Sequence, residues 1–106
     1  MWKVDRGTQT GVSAAAYASA LEWKTHDLGA KTILLKNTDG TSSLKYKLLG
    51  YASEGGIARE LVGETILLPG EVAEFHYDRQ WHNLALMLKD GSGHAAFTLD
   101  YEGQGA

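Results

Sequence analysis

The run Thr65-Ile66-Leu67-Leu68-Pro69-Gly70-Glu71-Val72-Ala73-Glu74-Phe75-His76-Tyr77 sets two short apolar stretches on either side of a Pro-Gly pair. Proline presets the backbone angle needed at the second position of a type I or II turn, and glycine accepts the positive φ that type II demands next. Ala73, Phe75 and Tyr77 alternate with Glu74 and His76, which is the period of a strand. The expectation is an antiparallel β protein in which these two stretches form a hairpin.

The same pattern recurs along the chain. Lys31-Thr32-Ile33-Leu34-Leu35-Lys36 reads as a central strand bounded by charge. In Ser43 to Ala52, Leu44, Tyr46 and Leu48 share one face and Lys45 and Lys47 the other. Asp39-Gly40, within a run of turn formers from Asn37 to Ser42, is the strongest hairpin pair by composition. Ser53-Glu54-Gly55-Gly56 interrupts the pattern, and Ile57 to Val62 reads as a weak or edge strand. Leu84, Leu86 and Leu88 face a core, while Asn83, Ala85 and Met87 form a milder face suited to cover by a neighbour. Asp90-Gly91-Ser92-Gly93 is read as a further hairpin loop, leading into a strand with Ala95, Phe97, Leu99 and Tyr101 on one face.

Two segments are less patterned. Ala14 to Lys24 has helix propensity, with Ser13 as a possible N-cap, yet Tyr17, Ser19, Leu21 and Trp23 also alternate; strand is chosen for the later half because everything downstream is β. Met1 to Gly11 holds two isolated apolar residues, Trp2 and Val4, and is read as an arm outside the core, either frayed or ordered against another subunit. The expected organisation is an arm over 1–12, a β-sandwich over 13–102 and a glycine-rich tail over 103–106. The fold class is all-β: a single antiparallel two-sheet sandwich, Ig-like or jelly-roll-like, of seven or eight strands with an extended N-terminal arm.

Composition narrows the function classes. The 106 residues suffice for one domain with a real core. With Lys+Arg 10 against Asp+Glu 13, the net charge of −3 gives no reason to expect nucleic acid as a partner. No apolar run is long enough to span a bilayer and no signal-peptide pattern opens the chain, so neither a membrane nor export by the general pathway is expected. Cysteine is absent, which removes disulfides and thiolate metal sites.

Chemistry-bearing motifs are scarce. His26, His76, His82 and His94 show no His-x-His or His-Glu-x-x-His spacing; His76 and His82 are the pair that adjacent strands would bring closest. Glu71 with Glu74, and Asp100 with Glu102, are carboxylate pairs by elimination only. No nucleophile elbow, phosphate-cradling loop or dinucleotide fingerprint appears, so a non-enzyme without metal or other cofactor is expected. Among the aromatic residues, Tyr46, Tyr77 and Tyr101 have core parity, whereas Trp23 and Trp81 lie at strand margins.

The stretches Gly29 to Thr38, Leu44 to Gly50 and Leu68 to Phe75 resemble, in their style of strand and turn, small β-sandwich proteins encoded among the structural genes of tailed phages and prophages. The resemblance implies a virion-associated role, as a capsid decoration protein or tail component present in many copies, assembled in the host cytoplasm, with capsid proteins and copies of itself as partners. Trp2, Val4, Trp23, Trp81, Asn83, Ala85 and Met87 are the candidate protein-contact residues. The alternative is a carbohydrate-binding module, which requires Trp23 or Trp81 exposed and coplanar with another ring.

Overall fold

In a computed structural model, residues 3–105 are described, Lys3 by its backbone alone. Among them run eight strands: β1 (Lys3–Val12), β2 (Ala18–Lys24), β3 (Lys31–Asn37), β4 (Leu44–Tyr51), β5 (Ala58–Leu67), β6 (Val72–Tyr77), β7 (Asn83–Asp90) and β8 (Ala96–Gly105). They form two four-stranded antiparallel sheets, ordered β1-β8-β3-β6 and β2-β7-β4-β5. This is the jelly-roll form of the expected sandwich. The core lies between the sheets, where the alternation read from sequence holds: Leu44, Tyr46 and Leu48, Leu84, Leu86 and Leu88, and Ala73 and Phe75 are buried.

The connections depart from the sequence reading. Among the described residues, β4 and β5 are the one consecutive pair hydrogen-bonded to each other, through the Ser53–Gly56 turn. The Pro-Gly corner, the Asp39-Gly40 loop and the Asp90–Gly93 loop each carry the chain from one sheet to the other, so none closes a hairpin. The Pro-Gly turn itself is as expected: the Glu71 N–H donates to the Leu68 carbonyl at 3.0 Å and Gly70 has φ of 82°. A type II turn twists the wrong way for a two-residue hairpin and splays its flanking strands. Here they separate into β5 of one sheet and β6 of the other.

Residues 3–12, expected as an arm, are an edge strand in ten-residue register with β8. Its inner face escaped a hydrophobic reading because Gly7 and Gly11 stand opposite Tyr101 and Phe97. A Cβ at Gly7 would lie 2.7 Å from the Tyr101 ring, and one at Gly11 would lie 2.9 Å from the Phe97 ring. The aromatic side chains of β8 fill the space that apolar residues of β1 would otherwise occupy. In the ambiguous segment, the later half is β2, with a bulge between Ser19 and Leu21. Ser13 caps no helix.

The sandwich has two ends. Loops 13–17, 38–43, 68–71 and 91–95 gather at one, here the turn end. Loops 25–30, 52–57 and 78–82 gather at the other, the terminal end, with the first and last described residues.

Candidate assembly surface

The contact residues named from sequence are dispersed. Trp2 lies outside the described residues. Val4 is 47% exposed on the outer face of β1. Trp23 is only 4% exposed: its indole N–H donates to Asp5 Oδ2 at 2.9 Å, and its ring packs at 56° to Tyr101 with centroids 4.9 Å apart. Trp23 is therefore a core residue with no area for a contact or a sugar platform. Its strand-margin position suggested an edge because Asp5, on a strand not recognised as one, supplies the polar partner that lets an indole be buried. Trp81 is half-buried after β6, its ring over Gly50 and beside Leu61.

Asn83, Ala85 and Met87 share the outer face of β7, a central strand. Ala85 is buried, flanked in register by Glu22 of β2 and Leu49 of β4. Asn83 and Met87 are half-buried, and Met87 Sδ accepts the Ser19 hydroxyl at 3.2 Å. This face is thus partly covered by its own sheet. Farther along it, Tyr17 donates to Glu64 Oε1 at 2.7 Å while Lys47 and Lys89 Nζ stand 4.4 and 4.8 Å from its ring. Lys89 also pairs with Glu64 at 3.1 Å. Burial and then the Glu64 carboxylate push the Tyr17 phenol far above its ordinary range.

The outer face of the other sheet is a shallow concavity lined by Arg6, Thr8, Thr32, Leu34, Asp100 and Glu102. Thr8 donates to Asp100 Oδ1 at 2.7 Å, which leaves Asp100 and Glu102 as neighbours along one strand face without a built acid–base geometry. Glu71 is likewise a structural acceptor, its Oε1 taking the Leu68 N–H at 2.8 Å.

The histidines separate. His76 Nδ1 contacts the Thr32 hydroxyl at 3.0 Å, whereas His82 stacks on His26, with centroids 5.4 Å apart, so the expected His76–His82 approach does not occur. His76 lies on the outer face of β6, whereas His82 lies in the connection from β6 to β7. At the turn end, His94 Nδ1 lies 2.8 Å from Asp90 Oδ2, and Ser13 donates to Asp90 Oδ1 at 2.6 Å. The Ser13 hydroxyl also accepts the Ala95 N–H. Asp90 stands between serine and histidine, so the imidazole is not placed to take the serine proton, and this trio ties loops together instead of activating a nucleophile. No group of three or more His, Asp or Glu able to hold a metal occurs among the described residues.

Three buried polar residues went unread in the sequence, among them Thr25, whose hydroxyl donates to the Trp81 carbonyl at 2.7 Å. Lys31 is 1% exposed, and its ammonium donates to the carbonyls of Leu28, Gly29 and Arg79 at 3.2, 2.6 and 2.7 Å. Burial lowers its pKa, against the opposing charge of Asp78. Asn37, fully buried, donates through Nδ2 to the Ser42 and Leu67 carbonyls and accepts the Asp39 N–H. Its backbone holds the Pro-Gly corner through the Gly70 N–H and the Glu71 carbonyl.

Besides exposed apolar side chains such as Ile57, Ile66 and Leu68, the sheet edges remain open. Strands β1 and β2 share one flank, joined by the Asp5–Trp23 bond, and β5 and β6 share the other.

No family model and no curated protein sequence matches the chain. Among solved structures, that of PirA is similar in fold, with TM-score 0.67, 13% identity, and 89% of this chain and 92% of that chain covered. A protein of the Bacillus endospore appendages, described as disulfide-linked pili, matches with TM-score 0.61 at 16% identity, covering 99% and 89% of the two chains. The SPBc2 prophage-derived protein YomS matches with TM-score 0.57 at 9% identity, covering 94% and 95%. At these identities the likeness is one of fold.

Proposed function

We propose that the chain is a non-catalytic structural subunit of a viral (phage) particle, a capsid decoration protein that stabilises its assembly through contacts with capsid proteins and with copies of itself. The observation that carries this reading is the pair of open flanks on a sandwich whose buried polar groups mostly serve internal bonds. Edges of this kind present rows of unpaired backbone donors and acceptors, the feature that strand addition uses. The fold shared with a pilus protein and a prophage-derived protein supports the reading at the level of architecture. Unlike disulfide-linked pili, this sequence has no cysteine, so disulfides from it do not link the assembly. Binding partners that recognise only the folded state would stabilise it by mass action.

Native mass spectrometry of the purified chain over a concentration series tests the proposal. Multi-copy species that grow with concentration are expected. A strict monomer throughout, combined with a saturable tryptophan-fluorescence response to a polysaccharide panel, would assign the chain to sugar binding instead.

A further inference from the structure

The two flanks of the sandwich are complementary in strand direction. Every neighbouring pair in the sheet β1-β8-β3-β6 is antiparallel, so β1 and β6 run in opposite directions; the same holds for β2 and β5 in the other sheet. A second copy shifted sideways without inversion therefore presents its β1 antiparallel to β6 of the first.

The sheet containing β1 and β6 suits such a junction better than its partner. The pairings β1·β8 and β3·β6 run without a register shift, whereas β2·β7 and β4·β5 are interrupted by bulges. Bulges and prolines are what guard an edge against pairing, and β1 and β6 have neither. The outer faces also match in charge. Arg6 is the one charged residue among the outward side chains described on β1, and Glu74 is the carboxylate among those of β6. Placing Arg6 opposite Glu74 sets Val4 against His76 and Thr8 against Val72, with outward residues facing outward residues.

A separate observation marks the receiving flank. Between β5 and β6 lies a cleft of about 500 Å³ lined by Arg59, Leu61, Tyr77, Arg79 and Trp81. The Trp81 indole N–H is buried without a partner among the described residues.

We infer that copies of this chain join head to tail, β1 of one pairing antiparallel with β6 of the next, so that one sheet runs continuously from subunit to subunit. The inference rests on the assembly reading above and names its self-contact. The interface is heterologous, so repetition closes into a ring or continues as a filament.

The absence of cysteine makes a direct test available. In the double variant Arg6→Cys/Glu74→Cys of the full chain, the two positions of one molecule are three strand spacings apart, about 14 Å, beyond the reach of a disulfide. Between molecules, the proposed register brings their Cα atoms to disulfide range. Mild oxidation is expected to give a ladder of dimers, trimers and higher species, whereas Arg6→Cys alone gives none. Dimers from Arg6→Cys alone would establish an isologous β1·β1 contact and overturn the inference. Oligomers by native mass without a ladder would also overturn it while leaving the assembly reading intact; a strict monomer would overturn the self-contact, and a monomer that also responds to the polysaccharide panel would remove the assembly reading as well. Hydrogen exchange on the unaltered chain supplies a readout independent of the variants. Protection that rises with concentration in β1 and β6 supports the junction, and protection confined to β2 and β5 refutes it.

Discussion

The two ends of the sandwich are held by opposite chemistry. At the turn end, acceptor-rich side chains gather backbone N–H groups: Asp39 Oδ2 takes those of Thr41 and Ser42, Asn37 Oδ1 that of Asp39, and the Ser13 hydroxyl that of Ala95. The backbone N–H groups of Ser42 and then Thr41 hold the Asp39 carboxyl below the usual carboxylate range. At the terminal end, a single cation does the reverse, with Lys31 donating to three carbonyls from two loops. Carbonyl oxygens and amide N–H groups of crossovers both need partners once buried. The loops of the turn end are thus gathered by several polar side chains, some reaching far along the chain as Asn37 does to Leu67, while the terminal end adds to its backbone bonds and the Thr25 hydroxyl on the Trp81 carbonyl one buried charge whose removal from water is costly.

The largest effect is expected at Asn37. Asn37→Ala removes two donated bonds and one accepted bond at a fully buried site, taking from the Ser42 and Leu67 carbonyls their side-chain donor. A loss of about 3 kcal/mol is expected from unsatisfied buried groups of this kind, read as a lower denaturant midpoint at unchanged slope. Lys31→Met is expected to cost less, about 2 kcal/mol, because three lost bonds are offset by relief of a buried charge. If Lys31→Met proves the more damaging of the two, the terminal end depends on its cation more than the turn end depends on its amide, and the ranking of the two ends reverses.

The same contrast explains what was legible beforehand. The core faces of β4, β6, β7 and β8 were readable because each strand states its own period, with Leu84, Leu86 and Leu88 needing no knowledge of their partners. The turns were readable as reversals: Asp39 acts within three residues of itself, and Pro69-Gly70 forms the type II turn its residues specify. Which strand pairs with which was not readable, since Asn37 secures the crossover by reaching Leu67, thirty residues away. One local signal was present, because a Pro-Gly type II turn is a poor two-residue hairpin. Lys31 looked like a solvated strand boundary for a similar reason: Arg79, which supplies one of its carbonyls, is 48 residues distant. Strand β1 stayed hidden because its inner face borrows the rings of Tyr101 and Phe97. For the assembly surface, the sequence indicated edges in general, but the directions of β1 and β6, on which the proposed junction depends, exist only once the topology is known.

The smallest expected effect concerns His94, and it probes whether charge contributes to the turn end at all. The Asp90 carboxylate, through its hydrogen bond and its charge, raises the His94 pKa above the ordinary value; Ser13 first and His94 second lower that of Asp90. A raised histidine pKa means that the folded state binds the proton more tightly than the unfolded chain. Its contribution is complete below the ordinary histidine value, about 6.5, and is lost as pH rises through the folded value. A lowered aspartate pKa acts in the other direction, so its contribution is complete above about 3.9 and is lost as pH falls through the folded value. The Asp90–His94 pair is therefore fully formed between about pH 4 and 6.5; as pH rises further, through the raised folded value, the His94 charge is lost while Asp90 keeps the Ser13 hydroxyl. The imidazole is largely exposed, with 67% of its side-chain surface accessible, so solvent screening keeps the effect on stability small and the titration itself is the sensitive readout. NMR titration of the His94 ring is expected to give a pKa above that of a free histidine, returning to the ordinary value in Asp90→Asn. An ordinary value in the unaltered chain would mean that the turn end is held without any charge contribution from His94, which would set its neutral bonding still further apart from the Lys31 end.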